Sequence, residues 1–196
     1  MEFDFLAPID HEVLSFINGL SSQQLGSKIV LHTEEQFPDL NKINIAIIGV
    51  LENRGDKHAI SDVDLTPIRK ELYGLFPGNW DASIADLGDI LAGNSSEDTY
   101  FALKKVVASL IKKKIIPIVI GGSQDLTYAL YRAYDDLEQM VNLVSIDSKF
   151  DFGKESEEVS ATSYLTKIII DEPNNLFNYC NIGYQTYYNS QEEIDL

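Results

Sequence analysis

Residues 115–153 read IIPIVIGGSQDLTYALYRAYDDLEQMVNLVSIDSKFDFG. Two short apolar runs in this stretch, Ile115–Ile120 and Val141–Ile146, are rich in β-branched residues. That composition is typical of strands buried on both faces of a parallel sheet. Between the two runs, Leu126–Glu138 carries apolar residues at helical spacing. The stretch therefore predicts a strand–helix–strand unit whose two strands run parallel.

Small and polar residues follow each predicted strand: Gly121–Asp125 after the first and Asp147–Asp151 after the second. In a unit of this kind both loops lie at the carboxyl ends of parallel strands. Ligands of open α/β sheets bind at that edge. The sequence therefore predicts these two loops as the place of any functional site.

The two loops resemble the metal-binding loops of the ureohydrolase family, which includes arginase, agmatinase and formiminoglutamase. In that family the first loop reads Gly-Gly-Asp-His-Ser, the second reads Asp-Ala-His-x-Asp, and these residues bind a pair of manganese ions. Here the aspartates of the second loop are kept, but Lys149 stands at its histidine position. In the first loop, Ser123 and Gln124 stand where the family has Asp and His. Six residues are therefore treated as degenerate metal-loop positions: Ser123, Gln124, Asp125, Asp147, Lys149 and Asp151.

The order of the predicted elements resembles the same family over most of the chain. Among the further elements are strands at Ile43–Val50, Ser83–Asp89 and Phe177–Tyr187 and helices that begin at Thr66, at Ser95 or Ser96, and at Ser160. The resemblance implies an arginase-like, three-layer α/β/α fold with a mainly parallel sheet. No repeat, low-complexity segment or linker interrupts the chain, so we expect a single domain over residues 1–196. Ureohydrolases continue for another third of their length, so we expect the C-terminal strands to be lacking from this short form.

The loop after the strand at Ile43–Val50 is a candidate ligand-entrance loop. It contains Glu52, Asn53 and Arg54. In ureohydrolases the corresponding loop helps to shape the entrance for the substrate, and the resemblance implies the same role here. The alternative is a plain polar surface loop.

Composition excludes several classes of function. The net charge of −16 repels phosphate backbones and predicts no binding to nucleic acid. No apolar run approaches the roughly 18–20 residues of a membrane helix, so we expect no membrane partner. The acidic N-terminus is unlike a secretion signal, and the single cysteine fits a reducing compartment, so a cytoplasmic location is predicted. The acidic surface either favours solubility or docks a basic partner.

The set of metal-binding residues that a dimanganese site needs is incomplete in this sequence. Such a site needs carboxylates and imidazoles around both metals, and the three histidines, His11, His32 and His58, all precede the two loops. Lys149 places a positive charge between Asp147 and Asp151. We therefore hypothesise that its ammonium replaces the metal in a salt-bridged cluster. The alternative is that Lys149 faces solvent while the aspartates cap local turns.

These observations predict an arginase- or formiminoglutamase-like domain that has lost its metal-binding histidines. It would have no catalytic residue and no cofactor, and its role would be structural, interactive or ligand-sensing. A sheet that ends early exposes a strand edge, so we expect a homo-oligomer or a protein partner that covers that edge. The alternative is a manganese-dependent hydrolase of a guanidino or formimino compound whose remaining ligands lie in a missing C-terminal part.

Overall fold

The computed structural model of the protein describes residues 3–59, 62–79, 81–154 and 158–195. The chain divides into two units. The N-terminal unit comprises Met1–Asn53 and Ile60–Gly122, and the C-terminal unit comprises Arg54–Ala59 and Ser123–Leu196. The single-domain organisation expected from the sequence stays a prediction.

The N-terminal unit contains a five-stranded sheet in the order β1-β4-β3-β5, with β2 also paired to β4. Its strands are β1 (Leu6–Ala7), β2 (Val30–Leu31), β3 (Ile45–Val50), β4 (Ile84–Ile90) and β5 (Ile116–Ile120). Its helices are α1 (His11–Asn18), α2 (Thr66–Gly74) and α3 (Ser96–Lys112). Strand β3 pairs in parallel with both β4 and β5, whereas β1 pairs antiparallel with β4. The predicted α/β class with a mainly parallel sheet is confirmed.

At the starts of α2 and α3, side chains accept hydrogen bonds from backbone N–H groups of the first turn. The Ser95 side chain accepts from the backbone N–H of Asp98, and the Asp98 carboxylate accepts from the backbone N–H of Ser95, which forms a capping box before α3. Helix α2 has Pro67 in its first turn, and the Asp64 carboxylate accepts from the N–H of Thr66 at 2.9 Å. These contacts fix where the chain leaves the loops and enters each helix.

Helix α2 is attached to β4 by a buried polar cluster. The Arg69 guanidinium donates to both carboxylate oxygens of Asp86, from Nε at 2.9 Å and from Nη2 at 3.1 Å. Its Nη1 donates to Asp89 at 2.7 Å, and the Tyr73 hydroxyl donates to Asp86. Each charged group therefore has an opposite charge beside it, which is the condition for burying ions in a protein core.

The C-terminal unit is built around two parallel strands, β6 (Val141–Ile146) and β7 (Leu176–Ile182). Its helices are α4 (Leu126–Asp135), α5 (Tyr164–Ile170) and α6 (Gln191–Ile194). Helices α4 and α5 supply Tyr131, Tyr164, Leu165 and Ile168 to a core that also contains Val141, Leu143, Leu176 and Tyr179 from the strands. One face of the two-stranded sheet is therefore covered by helices.

The opposite face of β6 and β7 is open. Val144 is 57 % exposed, Ile146 is 84 % exposed and Ile182 is 53 % exposed. The prediction that the Val141–Ile146 strand is buried on both faces is therefore wrong, because its residues alternate between the helix-covered face and the open face. Strand β5 departs from that prediction as well, since Ile116 is 61 % exposed. Within the described residues, no helix combines the length and the hydropathy needed to cross a membrane.

Candidate functional site

The first predicted loop begins with a glycine pair that turns the chain out of β5. Gly121 has a φ of 107° and Gly122 a φ of 67°, both in the region that favours glycine. A Cβ atom on Gly121 would lie 2.6 Å from Leu65 Cδ2 and 3.0 Å from the carbonyl oxygen of Val50. The turn brings Ser123 and Asp125 into buried positions, while Gln124 is exposed.

Gln124 connects the first predicted loop to the second. Its Nε2 donates to Asp147 Oδ2 at 2.6 Å and to the Tyr164 hydroxyl at 3.2 Å. The other carboxylate oxygen of Asp147 accepts from the backbone N–H of Lys149 at 2.9 Å. Partial burial raises the pKa of Asp147, but the hydrogen bonds from Gln124 and from the backbone N–H of Lys149 outweigh it and hold the pKa below its ordinary value. The structure therefore brings together three of the six predicted positions, Gln124, Asp147 and Lys149, and the bond from Gln124 to Asp147 is a direct contact between the two loops.

Asp151 lies in a different environment from Asp147. It is buried and has a φ of 58°, a left-handed conformation that aspartate adopts more readily than most residues. Burial, and after it the charge of Asp147, raise its pKa to about 6, while the charge of Lys149 acts in the opposite direction. The two carboxylates that the sequence pairs therefore hold protons with very different affinity.

The predicted salt-bridged cluster around Lys149 is wrong. The Lys149 side chain is exposed, and among the described residues no ion pair joins it to Asp147 or Asp151. The backbone N–H of Lys149, not its ammonium, contacts Asp147. The physical reason is an Asx turn, in which an aspartate accepts from the N–H two residues ahead. This agrees with the alternative stated from the sequence, that Lys149 faces solvent and an aspartate caps a local turn.

Tyr164 is a site residue that the sequence reasoning missed. It is the first residue of α5 and is almost completely buried, with its hydroxyl at hydrogen-bond distance from Gln124. Burial raises the pKa of Tyr164 above its usual range, and the charge of Asp151 adds to this effect. No motif in the sequence marked it, since a tyrosine at the start of a helix is an ordinary core residue.

The three predicted entrance-loop residues, Glu52, Asn53 and Arg54, have different environments. In the N-terminal unit, Glu52 is buried and accepts from the Thr99 hydroxyl at 2.8 Å, which is a structural contact to α3. Asn53 is half-buried. In the C-terminal unit, Arg54 is exposed and lines a cavity of about 340 Å³ together with Gly55, Lys57, Glu158, Val159 and Ser160. The entrance role for the loop stays a prediction.

The side chains at the two loops do not fit the manganese pair that the resemblance implies. Among the described residues no group of three or more His, Cys, Asp or Glu side chains is arranged to hold a metal ion. Gln124 turns its N–H groups, which cannot ligate a metal, toward Asp147. The histidines lie elsewhere: His11 and His58 are exposed, and His32 Nδ1 is 2.9 Å from the carbonyl oxygen of Leu87.

Comparisons with known proteins agree on one family. A sequence model of the arginase family matches residues 58–196. A formimidoylglutamase of Geobacillus thermodenitrificans (strain NG80-2) is 30% identical over 108 residues, which cover 53% of this chain and 33% of that protein. A formimidoylglutamase of Geobacillus sp. (strain WCH70) is 30% identical over 142 residues, 70% of this chain and 42% of that protein. The chain therefore spans less than half the length of these curated relatives.

Solved structures show the same fold at low sequence identity. A formiminoglutamase of Trypanosoma cruzi with Mn²⁺ superposes with a TM-score of 0.72 at 19% identity, covering 88% of this chain and 61% of that one. A formimidoylglutamase of Bacillus subtilis subsp. subtilis str. 168 gives a TM-score of 0.69 at 17% identity, covering 86% of this chain and 55% of that one. The arginase-like α/β fold implied by the family resemblance is confirmed.

Proposed function

Because the chain belongs to the arginase family, we propose that it is a family member whose strand-end loops no longer hold manganese. Its role is structural or interactive, and it does not hydrolyse a substrate. The free thiol of Cys180 fits the cytoplasmic location that forms part of this proposal.

The observation that carries the proposal is the donor set at the two loops. Where the family has imidazoles, this chain has the Gln124 amide and the Lys149 ammonium. The amide gives its N–H to Asp147, and the ammonium carries a charge that repels a metal cation. Two carboxylates remain, Asp147 and Asp151, but a hydrolytic pair of metals needs more ligands than these.

The groups near the site are also poorly suited to proton transfer. The segment Gly153–Tyr164 contains no histidine. The Ser163 hydroxyl donates to the carbonyl oxygen of Glu158 at 2.8 Å, so it is used in a local turn. Tyr164 is protonated at neutral pH, as tyrosines ordinarily are, and burial raises its pKa further. The segment Gly153–Tyr164 therefore supplies no general base near neutral pH, and the one site carboxylate whose pKa is raised toward neutrality is Asp151.

The open face of β6 and β7 supports the interaction role. Its exposed residues carry no charge: Asn142, Val144, Ile146, Asn178, Cys180 and Ile182. Parallel strands are almost always covered on both faces, and an apolar open face is typical of a protein–protein contact. We propose that a second copy of the chain covers this face, with a different protein partner as the alternative.

Cys180 allows this surface to be tested directly, because it is the only cysteine and lies on the open face. If a second copy covers the face, the rate of thiol labelling should fall as protein concentration rises, in step with dimer formation in gel filtration. Val144→Lys should restore fast labelling and the monomer, because the contact could then form only by burying an unpaired charge, which is unfavourable.

The matched control is Ile169→Lys, a change at a 44 % exposed residue of α5 away from that face, which should leave both readings unchanged. A chain that stays monomeric and labels at one rate at every concentration would rule out the second copy. Protection of Cys180 only in the presence of a different protein would favour the heterologous partner.

The second candidate function is a manganese-dependent hydrolase of a guanidino or formimino compound. The curated relatives named formimidoylglutamase and the retained Asp147 and Asp151 favour it. It requires metal ligands from outside the described part of the chain, in which no group of three or more candidate ligands is arranged to hold a metal ion.

The experiment that separates the two functions uses the full gene product, stripped with EDTA and then dialysed against manganese. The metal content is measured, together with the release of formamide from formiminoglutamate and of urea from arginine and agmatine. We expect manganese well below one ion per chain and no product above the blank. Stoichiometric manganese with product release would establish the hydrolase instead. Thermal shifts with the same three compounds test the ligand-sensing role.

A further inference from the structure

We propose that the side-chain amide of Gln124 replaces a metal ion as the link between the two strand-end loops. This inference rests on the proposed function, since it assumes loops that hold no manganese. It assigns to Gln124 a positioning role: the amide holds the loop after β6 against the start of α4 and α5.

The geometry of the amide favours this role. A primary amide has two N–H donors, and the Gln124 nitrogen has two acceptors, Asp147 Oδ2 at 2.6 Å and the Tyr164 hydroxyl at 3.2 Å. The reversed amide would bring its oxygen against the Asp147 carboxylate, two acceptors with no proton between them. The orientation is therefore fixed by the charge of Asp147 and not only by fit.

Each carboxylate oxygen of Asp147 has a hydrogen-bond donor, so the carboxylate needs no cation to be satisfied. One oxygen accepts from Gln124, and the other accepts from the backbone N–H of Lys149. Hydrogen bonds from neutral donors to a carboxylate are stronger than those between neutral groups and stabilise its ionised form. Lys149 can therefore remain exposed, as observed, without leaving Asp147 unsatisfied.

A glutamate at position 124 would reverse this arrangement at almost constant size. Gln124→Glu removes both N–H donors and places a third carboxylate near Asp147 and Asp151. Carboxylates in close proximity repel one another, and clustered carboxylate oxygens bind hard divalent cations such as Mn²⁺. The variant should therefore become dependent on a metal ion that the unchanged protein does not use.

The test compares melting temperatures of the full gene product in EDTA and in millimolar Mn²⁺ for three proteins: unchanged, Gln124→Glu and Gln139→Glu. Gln139 is an exposed glutamine of the same unit, so its variant controls for the added charge. In EDTA, Gln124→Glu should melt about 2–4 °C lower than the unchanged protein. Manganese should restore most of this loss and should leave the other two proteins unchanged.

The outcomes separate this inference from the proposed function. A rise in the melting temperature of the unchanged protein with Mn²⁺ would overturn the proposed function itself. An unchanged protein that ignores Mn²⁺, together with a Gln124→Glu variant that melts normally in EDTA, would overturn only the role of Gln124. A loss in EDTA that Mn²⁺ does not restore would contradict the replacement of a cation and leave an ordinary structural contact.

Discussion

Arg69→Met is expected to lower the free energy of unfolding by about 3–5 kcal/mol. The guanidinium is 2 % exposed and lies between the carboxylates of Asp86, which is 0 % exposed, and Asp89. Methionine fills a similar volume but leaves two buried carboxylates without a cation. Burial alone lowers the pKa of Arg69, but the two carboxylates outweigh it and raise the pKa above its ordinary value, so the arginine stays charged. Urea unfolding followed by circular dichroism measures the loss.

The neighbouring residue supplies a matched control. Lys70 pairs with Glu12 on the surface, where the two side chains are 30% and 67% exposed. Lys70→Met should cost less than about 1 kcal/mol, because exposed ion pairs contribute little. Similar losses for Arg69→Met and Lys70→Met would contradict the view that the buried cluster holds α2 on β4.

A milder variant keeps this test decisive where Arg69→Met does not fold. Tyr73→Phe removes only the hydroxyl that donates to Asp86. The expected loss is about 1.5–3 kcal/mol, the usual range for a hydrogen bond to a charged group. A smaller loss would mean that the arginine alone satisfies Asp86.

The buried cluster shows what a sequence pattern conveys and what it leaves out. The Thr66-Pro67 pair predicts the start of α2, yet Arg69 in such a helix is by default an exposed charge. Its burial depends on Asp86 and Asp89, two carboxylates inside a strand whose other residues are apolar. The two carboxylates stand out in the sequence of an otherwise apolar strand. That Arg69 is their partner depends on how α2 packs on the sheet.

The candidate site, too, could be predicted from the sequence only in part. The place of the two loops follows from the apolar runs that precede them, and the resemblance to the family identifies Asp147 and Asp151. The contact between Gln124 and Asp147 does not follow, because it depends on backbone conformations such as the positive φ of Asp151 and of the glycine pair. The ammonium of Lys149 was the more conspicuous group in the sequence, although a backbone N–H is the closer donor for an Asx turn.

The apolar pattern of Val141–Ile146 also did not predict that one face of β6 is exposed. A continuous apolar run is consistent with burial on both faces but does not show which residues cover the second face. In the described residues, α4 and α5 cover one face, and nothing covers Val144 or Ile146. The run therefore identifies a surface that needs a cover, and this links the sequence directly to the proposed interaction.

Gly88→Ala is expected to lower the free energy of unfolding by about 2–4 kcal/mol. Gly88 has a φ of 84°, and a Cβ atom on it would lie 1.9 Å from the carbonyl oxygen of Ala7. Ala7 belongs to β1, which pairs with β4 at this point, so a backbone strand would have to move. The carbonyl oxygen of Gly88 also accepts a hydrogen bond from Arg69 Nη2 at 3.3 Å. The substitution therefore disturbs the buried cluster as well.

A second glycine of the same unit gives a control with the opposite sign. Gly74 is the last residue of α2 and has no heavy atom within 4 Å of the place a Cβ would take. Gly74→Ala should raise the free energy of unfolding by up to about 1 kcal/mol, because it restricts the unfolded chain without strain in the folded one. Equal effects of the two substitutions would contradict the contact between β1 and β4.

A double variant of Gly88→Ala with Tyr73→Phe should lose less free energy of unfolding than the sum of the two single losses. The reason is that both changes act on the hydrogen bonds around Arg69 and Asp86.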